Sequence, residues 1–360
     1  MNANFQFTRY LYEKEEVEIA LLISILKKTD DALFWAFELS RSGYNIAPLL
    51  WKIYYDFYAS INPGFEKYLS IKLKEEDLDD KTICLVIKNL MIRRHNIDVF
   101  IVRSIVKQFD IEVDEKPDLP RLLGSRDFLA LGAVVLEYIK EDQLVDSYRI
   151  SLEYFASIGI EMNVVKMVDE FKRKGTHRRI AFLSAIIHHS SVAKQIKMGR
   201  NLYVRLEPQQ IESLTIKYGC DLHTTIAPCK ILQSACLYDI DEDNHLSLFK
   251  LKRETADIVK VYRGNWLFHA SFSPLWKARL VQHNGSIQNE EVIFDNEDDE
   301  ERFYELFELE PDEQKLDVQQ KSIREIKVER VWLSFYKEHK NEGVVDVDDD
   351  TILEIHKITY

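Results

Sequence analysis

Four soft metal-ligand candidates lie within 17 residues in the second half of the chain, at Cys220, His223, Cys229 and Cys236. Thiolate and imidazole are ligands that tetrahedral zinc prefers. The spacing lacks the paired Cys-x2-Cys of common zinc modules, so buried thiols beside a surface histidine are the alternative. We therefore predict no metal and no other cofactor, and leave zinc at these four residues as an open question.

Residue patterns that indicate catalysis or nucleotide binding do not occur in the sequence. Asp239, Asp241 and Asp243 begin like an EF-hand calcium loop, but Asn244 and Lys250 stand where that loop needs Gly and Glu. No Gly-x-Gly-x-x-Gly, Walker, His-Glu-x-x-His, Gly-x-Ser-x-Gly or kinase motif is present. We therefore predict no catalytic residue and a protein that is not an enzyme. An enzyme whose active site carries none of these motifs is the least favoured hypothesis.

Basic side chains are concentrated between residues 166 and 205, where ten Lys or Arg stand against two acidic residues, a local net charge of +8. Basic groups at both ends of one predicted helix could hold nucleic-acid phosphates. Aromatic rings are sparse there (Phe171, Phe182 and Tyr203), and a solvated face that neutralises the protein's own acidic residues is the alternative. The predicted RNA- or DNA-binding residues are Lys172, Arg173, Lys174, Arg178, Arg179, Lys194, Lys197 and Arg200.

Two short segments resemble docking motifs. Residues 44–50 fit Tyr-x4-Leu followed by an apolar residue, the pattern by which translation-initiation scaffolds engage the cap-binding protein through an amphipathic helix. The leucines of that segment are also needed for the core. The second segment runs from Tyr304 to Leu309, with Glu310 in the last apolar position, and we expect it to be exposed. Tyr304 and Leu309 are therefore the predicted partner-binding residues.

The overall charge and composition exclude several classes of protein. The formal net charge is −13, which argues against a general affinity for nucleic acid or anionic lipid. Residues 290–317 contribute fourteen acidic against two basic residues, a local net charge of −12. No run approaches 18 apolar residues, so we expect no membrane partner. Only four Cys and no apolar signal segment predict a reduced, cytoplasmic protein.

Apolar residues recur at helical spacing through the first two hundred residues. Helices are predicted at 13–28, 32–41, 46–59, 63–73, 81–94, 97–109, 126–139, 145–157, 164–174 and 178–196, with an acidic, proline-containing break at 110–120. No repeat of fixed period is found. We predict a mostly α fold in which residues 1–205 form a helical-repeat domain (a HEAT-like α-solenoid) or an irregular helical bundle, with a lobe boundary at 110–120.

Residues 206–360 are predicted to form a smaller, acidic, mixed α/β region. Segments 246–251, 258–262 and 266–272 are short and rich in β-branched or aromatic residues, and turn signals at 263–265 and 283–286 favour a hairpin. We expect a solvated loop at 290–301 and helices at 300–309 and 320–339. The tail from residue 344 alternates acidic and apolar residues, which is typical of a strand or an unfolded end.

Five segments of the first third of the chain carry a resemblance: FTRYLYEKEEV at 7–17, ALFWAFELSRSG at 32–43 and LWKIYYDFY at 50–58, with NLMIRR at 89–94 and DVFIVR at 98–103. On these segments the chain resembles a family of proteins from giant DNA viruses of the mimivirus kind. The resemblance covers about residues 7 to 110 and implies a viral protein in the host cytoplasm, at the viral factory. It implies no catalytic residue.

The first domain is also similar, in architecture alone, to the middle helical-repeat domain of translation-initiation scaffold proteins, which binds a helicase and RNA. Together these observations predict a non-catalytic viral scaffold or adaptor in information processing, with translation initiation as the first hypothesis. Its expected partners are proteins, among them initiation factors, and RNA. The alternative is a nucleic-acid-binding accessory factor for viral replication or transcription.

Overall fold

The computed structural model describes residues 6–9, 14–75, 77–114, 117–175, 177–218, 265, 267–307, 336–337, 339–340 and 343–353. Most of these residues are helical, and one two-stranded antiparallel sheet lies in the C-terminal region. The prediction of a mostly α fold is therefore confirmed. The zinc candidates, the Asp239 loop, Leu309 and segments 246–251 and 258–262 lie outside the described residues.

Six helices form the first part of the chain: α1 (Lys14–Lys27), α2 (Asp31–Arg41), α3 (Ala47–Phe57), α4 (Glu66–Lys72), α5 (Asp80–Met91) and α6 (Asp98–Gln108). A 3₁₀ turn, Pro63–Phe65, leads into α4. Asp79 caps α5, because its carboxylate accepts a hydrogen bond from the Thr82 N–H at 2.8 Å. These boundaries lie within a few residues of the predicted ones.

The chain continues with α7 (Leu119–Ser125), α8 (Phe128–Ala133), a π-helical turn (Val134–Tyr138), α9 (Leu144–Ser157), α10 (Val164–Lys172), α11 (Arg178–Ala193) and α12 (Pro208–Tyr218). Asp118, Asp127 and Asn163 accept N-cap hydrogen bonds at the starts of α7, α8 and α10. Helix α7 is absent from the predicted set, because it begins inside the proline-containing break and spans only two turns.

The described C-terminal elements are α13 (Pro274–Gln282), β1 (Gly285–Gln288), β2 (Glu291–Phe294), α14 (Glu297–Phe307) and α15 (Asp349–Leu353). β1 pairs antiparallel with β2, Gly285 opposite Phe294. Asn289 and Glu290 form the two-residue turn with φ of 52° and 64°, as a type I′ hairpin requires. The predicted turn at 283–286 instead joins α13 to β1.

Residues 267–270, within one of the short segments rich in β-branched or aromatic residues, form a helical turn. Two expectations for this region are wrong. The acidic run 290–301 is not a loop, because it forms β2 and the start of α14, and Phe294 and Phe303 supply the apolar side that packs inward. The tail is neither a strand nor unfolded over 344–353: Val344 and Val345 are buried and α15 follows.

Helices distant in the chain pack together between residues 14 and 218. Helix α5 packs on α1 and α2, α3 packs on α6, and α11 returns to contact α3, α6 and α9. Helix α12 lies against α5 and α2. In an α-solenoid each repeat contacts only its neighbours. Of the two predicted arrangements, these contacts are therefore those of an irregular helical bundle.

A segment near the N-terminus joins the helical domain to α13. The Phe7 N–H donates to Ser273 Oγ at 2.5 Å, and Trp276 Nε1 donates to the Thr8 carbonyl at 2.9 Å. Arg9 forms an ion pair with Glu38 at 2.7 Å, and both side chains are at most 1% exposed. The apolar core is continuous from α1 to α14, so the described residues on both sides of position 205 share one core. The predicted domain and lobe boundaries stay predictions.

The C-terminal segment 343–353 also packs on the helical domain. The Val344 N–H donates to Asp98 Oδ2 at 2.8 Å, at the start of α6. His339 Nδ1 and His95 Nε2 lie 3.0 Å apart. The Tyr336 hydroxyl donates to the Val347 carbonyl at 3.0 Å. These contacts fix the segment beside the loop that joins α5 to α6.

Candidate nucleic-acid interface

The loop between α10 and α11 carries the first group of predicted basic residues. Lys172 and Arg173 are exposed, and Lys172 Nζ lies 3.2 Å from Asp169 Oδ1. The Arg178 side chain binds the backbone of this loop: its Nε donates to the Lys174 carbonyl at 2.7 Å and its Nη2 to the Lys172 carbonyl at 2.9 Å. Arg178 therefore holds the loop shape rather than presenting its guanidinium to a ligand.

Arg179 has a comparable structural role at the π-helical turn. Its Nη1 donates to the Val135 carbonyl at 2.9 Å and its Nη2 to the Ile139 carbonyl at 2.7 Å. Carbonyls at the end of a helix lack partners within the helix, and this guanidinium satisfies them. Arg178 and Arg179 also lie near Glu141, at 3.3 and 3.7 Å. We therefore leave both arginines out of the interface proposed below.

Lys174 is held by a half-buried polar and aromatic cluster. Its ammonium contacts Glu66 Oε1, which also accepts the Tyr55 hydroxyl hydrogen bond at 3.0 Å. Burial lowers the pKa of Lys174 to about 8 despite this carboxylate. The rings of Trp51, Tyr55 and His177 lie beside it, with centroids 5.5–5.8 Å apart. Lys174 thus fixes the α10–α11 loop to the start of α4.

The second group of basic residues follows α11. The 16 residues of α11 separate the two groups by about 24 Å along its axis. Lys194, Lys197 and Arg200 are exposed, as is Arg205, which was not among the predicted residues. These four cations lie along one segment, residues 194–205, that crosses the surface of the helical domain between α11 and α12.

Hydrogen bonds to the helical domain fix the backbone of segment 194–205. The Gly199 N–H donates to the Ile61 carbonyl at 2.8 Å, and a Cβ at Gly199 would lie 1.8 Å from Asn62 Oδ1. Asn89 pairs with both backbone groups of Val204, accepting from its N–H at 2.9 Å and donating to its carbonyl at 3.2 Å. The backbone therefore faces the domain while several side chains project outward.

A stack of rings and one guanidinium lies under the middle of this segment. The Arg93 guanidinium is 3.5 Å from the centroid of the Phe65 ring and 5.0 Å from that of Tyr203. The Tyr203 centroid lies 5.3 Å from that of Tyr68, and Phe65 stacks on Tyr68 at 5.1 Å. Arg93 Nη2 donates to the Leu202 carbonyl at 2.7 Å. Burial lowers the pKa of Arg93.

One short stretch of chain, residues 64–66, contacts both the α10–α11 loop and segment 194–205. Gly64 lies against the Asn201 side chain, and Glu66, two residues later, binds Lys174. The α10–α11 loop and segment 194–205 therefore both contact the chain at the start of α4. Phe171 and Phe182 are fully buried, so of the three aromatic residues in the basic stretch only Tyr203 is exposed to solvent.

Tyr68 and Arg93 were missed by the sequence reasoning. They come from α4 and from the turn after α5, and they meet Tyr203 only through the tertiary fold. No local pattern indicates such a contact, because Tyr68 and Tyr203 are separated by more than a hundred residues. The signal in the sequence was limited to the local charge of residues 166–205.

The docking segments have different environments. Tyr44 donates its hydroxyl hydrogen bond to the Phe7 carbonyl at 2.8 Å, and Leu49 and Leu50 are buried in the core. That segment is therefore closed to a partner. Tyr304 lies on α14, partly buried against the rings of Phe294 and Phe303. Its role in partner binding stays a prediction.

The described residues contain no group of three or more His, Cys, Asp or Glu that could hold a metal ion. Among the described helices, none is long and apolar enough to cross a membrane.

Comparisons of the chain with protein-family models, with curated proteins and with solved structures give no significant match. Function is therefore inferred from the residues of this chain alone.

Proposed function

We propose that this protein is a non-catalytic helical adaptor that binds RNA along segment 194–205. The observation that carries the proposal is the combination of a fixed backbone with exposed Lys197, Arg200 and Arg205 side chains. A protein of net charge −13 attracts a polyanion only where its cations are locally concentrated. Lys172 and Arg173 are further exposed cations, on the loop that Lys174 attaches to the start of α4.

We propose further that the rest of the helical surface binds protein partners, as the surface of a scaffold protein does. The context that we propose first is translation initiation in the cytoplasm of a virus-infected cell, which rests on the resemblances of the sequence. The second candidate is an accessory factor for replication or transcription. The same basic surface supports it, since phosphate contacts do not distinguish RNA from DNA.

RNA binding is tested with the triple variant Lys197→Glu, Arg200→Glu and Arg205→Glu. Binding of a labelled 20-nucleotide RNA is measured by fluorescence anisotropy between 50 and 200 mM salt. Each phosphate contact on a single strand contributes a slope of about −0.7 to log K against log salt. We therefore expect the triple variant to bind much more weakly, with a slope shallower by about 2.

A matched control carries the same charge change at three exposed positions outside the basic stretch 166–205: Arg121→Glu, Lys140→Glu and Lys277→Glu. We expect the control to retain most of the affinity and the full salt slope. Equal binding by the two triple variants would contradict the proposal, as would wild-type protein that fails to bind RNA at 50 mM salt.

The cellular context is tested by affinity purification of the tagged protein from infected cells, followed by mass spectrometry. Recovery of initiation factors supports the translation proposal. Recovery of polymerase or replisome subunits in their place supports the second candidate. Repeating the purification after nuclease treatment separates direct protein partners from those that are bridged by nucleic acid.

A further inference from the structure

The Tyr203 ring is unusual because it is held in place and yet largely exposed. Its side chain is 46% exposed, and that of the preceding Leu202 is 54% exposed. The backbone on both sides is pinned, by Arg93 at the Leu202 carbonyl and by Asn89 at Val204. The ring therefore keeps a defined position at the surface instead of folding into the core.

The groups beneath Tyr203 form a rigid support. Arg93 is 3% exposed, and its two terminal nitrogens donate to the Asn89 and Leu202 carbonyls. Its guanidinium lies over the Phe65 ring, which is fully buried. Tyr68 is half-buried beside Tyr203 and stacks on Phe65. Two adjoining tyrosine rings, Tyr68 and Tyr203, thus border solvent above a buried cation and a phenylalanine.

Exposed cations flank the tyrosines along the chain. Arg200 lies three residues before Tyr203, and Arg205 lies two residues after it. Five residue steps span at most about 17 Å. The Leu202 N–H donates to the Arg200 carbonyl at 2.9 Å, so the chain turns here and the two arginines are closer than that, within the length of about five nucleotides at the 3.4 Å spacing of one strand. An aromatic ring with a cation on each side can bind a single strand, since the ring can stack on a base while the cations contact the neighbouring phosphates.

We propose that Tyr203, with Tyr68 beside it, is a stacking site for the bases of a single-stranded nucleic acid. The inference rests on the proposed function, because Lys197, Arg200 and Arg205 supply the phosphate contacts. Every base has a π-face, so stacking on tyrosine tolerates any sequence. Bases inside a duplex are already stacked on each other and cannot reach the rings. The site therefore selects single strands over duplexes.

The inference is tested with Tyr203→Ala, using a 12-nucleotide oligouridylate and a 12-base-pair RNA duplex as probes. We expect affinity for the single strand to fall about 10-fold, within the range found when a base loses an aromatic partner. Duplex binding stays unchanged. Because stacking releases no counterion, the loss has the same size at 50 and 200 mM salt, and the salt slope is unaltered.

Two further variants separate loss of the ring from loss of local structure. Tyr203→Phe keeps the ring, and we expect binding within about 2-fold of wild type. Tyr138→Ala removes a tyrosine that is 47% exposed on the π-helical turn, and we expect no change. As a second measurement, RNA carrying 4-thiouridine is cross-linked by light, and mass spectrometry should locate the adduct on the peptides that contain Tyr203 or Tyr68.

The outcomes distinguish this inference from the proposed function. If Tyr203→Ala behaves like Tyr138→Ala while the triple charge reversal abolishes binding, the stacking site is wrong and RNA binding through cations stands. A duplex that binds as tightly as the single strand also overturns the stacking site. If the triple charge reversal has no effect either, the proposed function itself fails.

Discussion

His189 on α11 has no hydrogen-bond partner for either ring nitrogen among the described residues, although its side chain is only 6% exposed. Its ring lies 5.2 Å from that of Phe155 and 5.0 Å from that of His188. Burial, together with repulsion from His188, lowers the pKa of His189 to about 3. A neutral imidazole is thus kept in an apolar site, where unsatisfied polar atoms are destabilising.

Replacing this histidine with an apolar residue, His189→Leu, should stabilise the protein by about 1–3 kcal/mol at pH 7, since it removes two buried polar atoms without partners. The variant should also be less sensitive to acid. In the unfolded chain the imidazole binds a proton near its ordinary pKa of 6.5, whereas in the folded protein it stays neutral until about pH 3. Protonation of His189 therefore does not affect the free energy of unfolding above pH 6.5. Below that pH the free energy of unfolding falls, by up to about 1.4 kcal/mol per pH unit, because the unfolded chain binds the proton first.

Urea unfolding of both proteins at pH 7 and pH 5 measures this difference. His95, whose pKa is lowered to about 4 mainly by burial, acts in the same direction as His189. Asp98, whose pKa is raised to about 6 mainly by burial, acts in the opposite direction. Both groups are present in the two proteins, so their contributions cancel in the difference, which reports His189 together with its repulsion of His188. Equal losses of stability in wild type and variant would rule this account out.

The C-terminal segment is an element whose docking depends on one close approach. A Cβ at Gly343 would lie 2.1 Å from Asp98 Oδ1, and the next residue donates its N–H to the same carboxylate. Asp98 begins α6, so its position is fixed by the helix. Only a residue without a side chain allows the segment to reach this carboxylate.

The substitution Gly343→Ala should therefore detach residues 344–353 while the helices stay folded. Hydrogen exchange followed by mass spectrometry should show faster exchange in that segment and unchanged exchange in α3, α6 and α11. Gly175→Ala is the matched control, because a Cβ at Gly175 meets nothing within 4 Å. The same exchange rates in both variants would show that the contact with Asp98 does not hold the segment.

Helix positions between residues 14 and 108 could be predicted well, because the signals that set them lie within each helix and its flanking residues. Helices such as α5 combine a strong N-cap at Asp79 with an apolar stripe. The π-helical turn could not be predicted, because the Arg179 contacts that close it come from another helix. The sequence wrongly predicts a loop at 290–301, because the many charged residues there outweigh the apolar signal of the inward-facing Phe294 and Phe303.

At the scale of the whole molecule, the buried ion pair between Arg9 and Glu38 ties the N-terminal segment to α2. Removing one partner of a buried ion pair typically costs about 3–5 kcal/mol. We therefore expect Glu38→Ala to lower the free energy of unfolding by about that amount, as measured by urea denaturation. Glu153→Ala, which breaks an exposed pair with Arg149, should cost at most about 1 kcal/mol. Similar losses in the two variants would contradict this role for the buried pair.

The candidate site could be predicted only in part from the sequence. The local charge of residues 166–205 located the basic stretch, but which cations are exposed depends on the fold: Arg178 and Arg179 bind backbone carbonyls, whereas Arg205 is exposed. Contacts between side chains as distant in the chain as Tyr68 and Tyr203 have no local signature.

The hydrogen bond between Phe7 and Ser273 joins residues that are 266 positions apart. At about 5–20 residues per second of translation, the first of them leaves the ribosome about 13–53 s before the second. Throughout that interval Ser273 and Trp276 are not yet there to bind the Phe7 N–H and the Thr8 carbonyl, so the nascent chain cannot complete its fold from front to back. The N-terminal segment is therefore captured only after α13 has been translated, and a translation product that stops before α13 would expose this surface to chaperones and proteases.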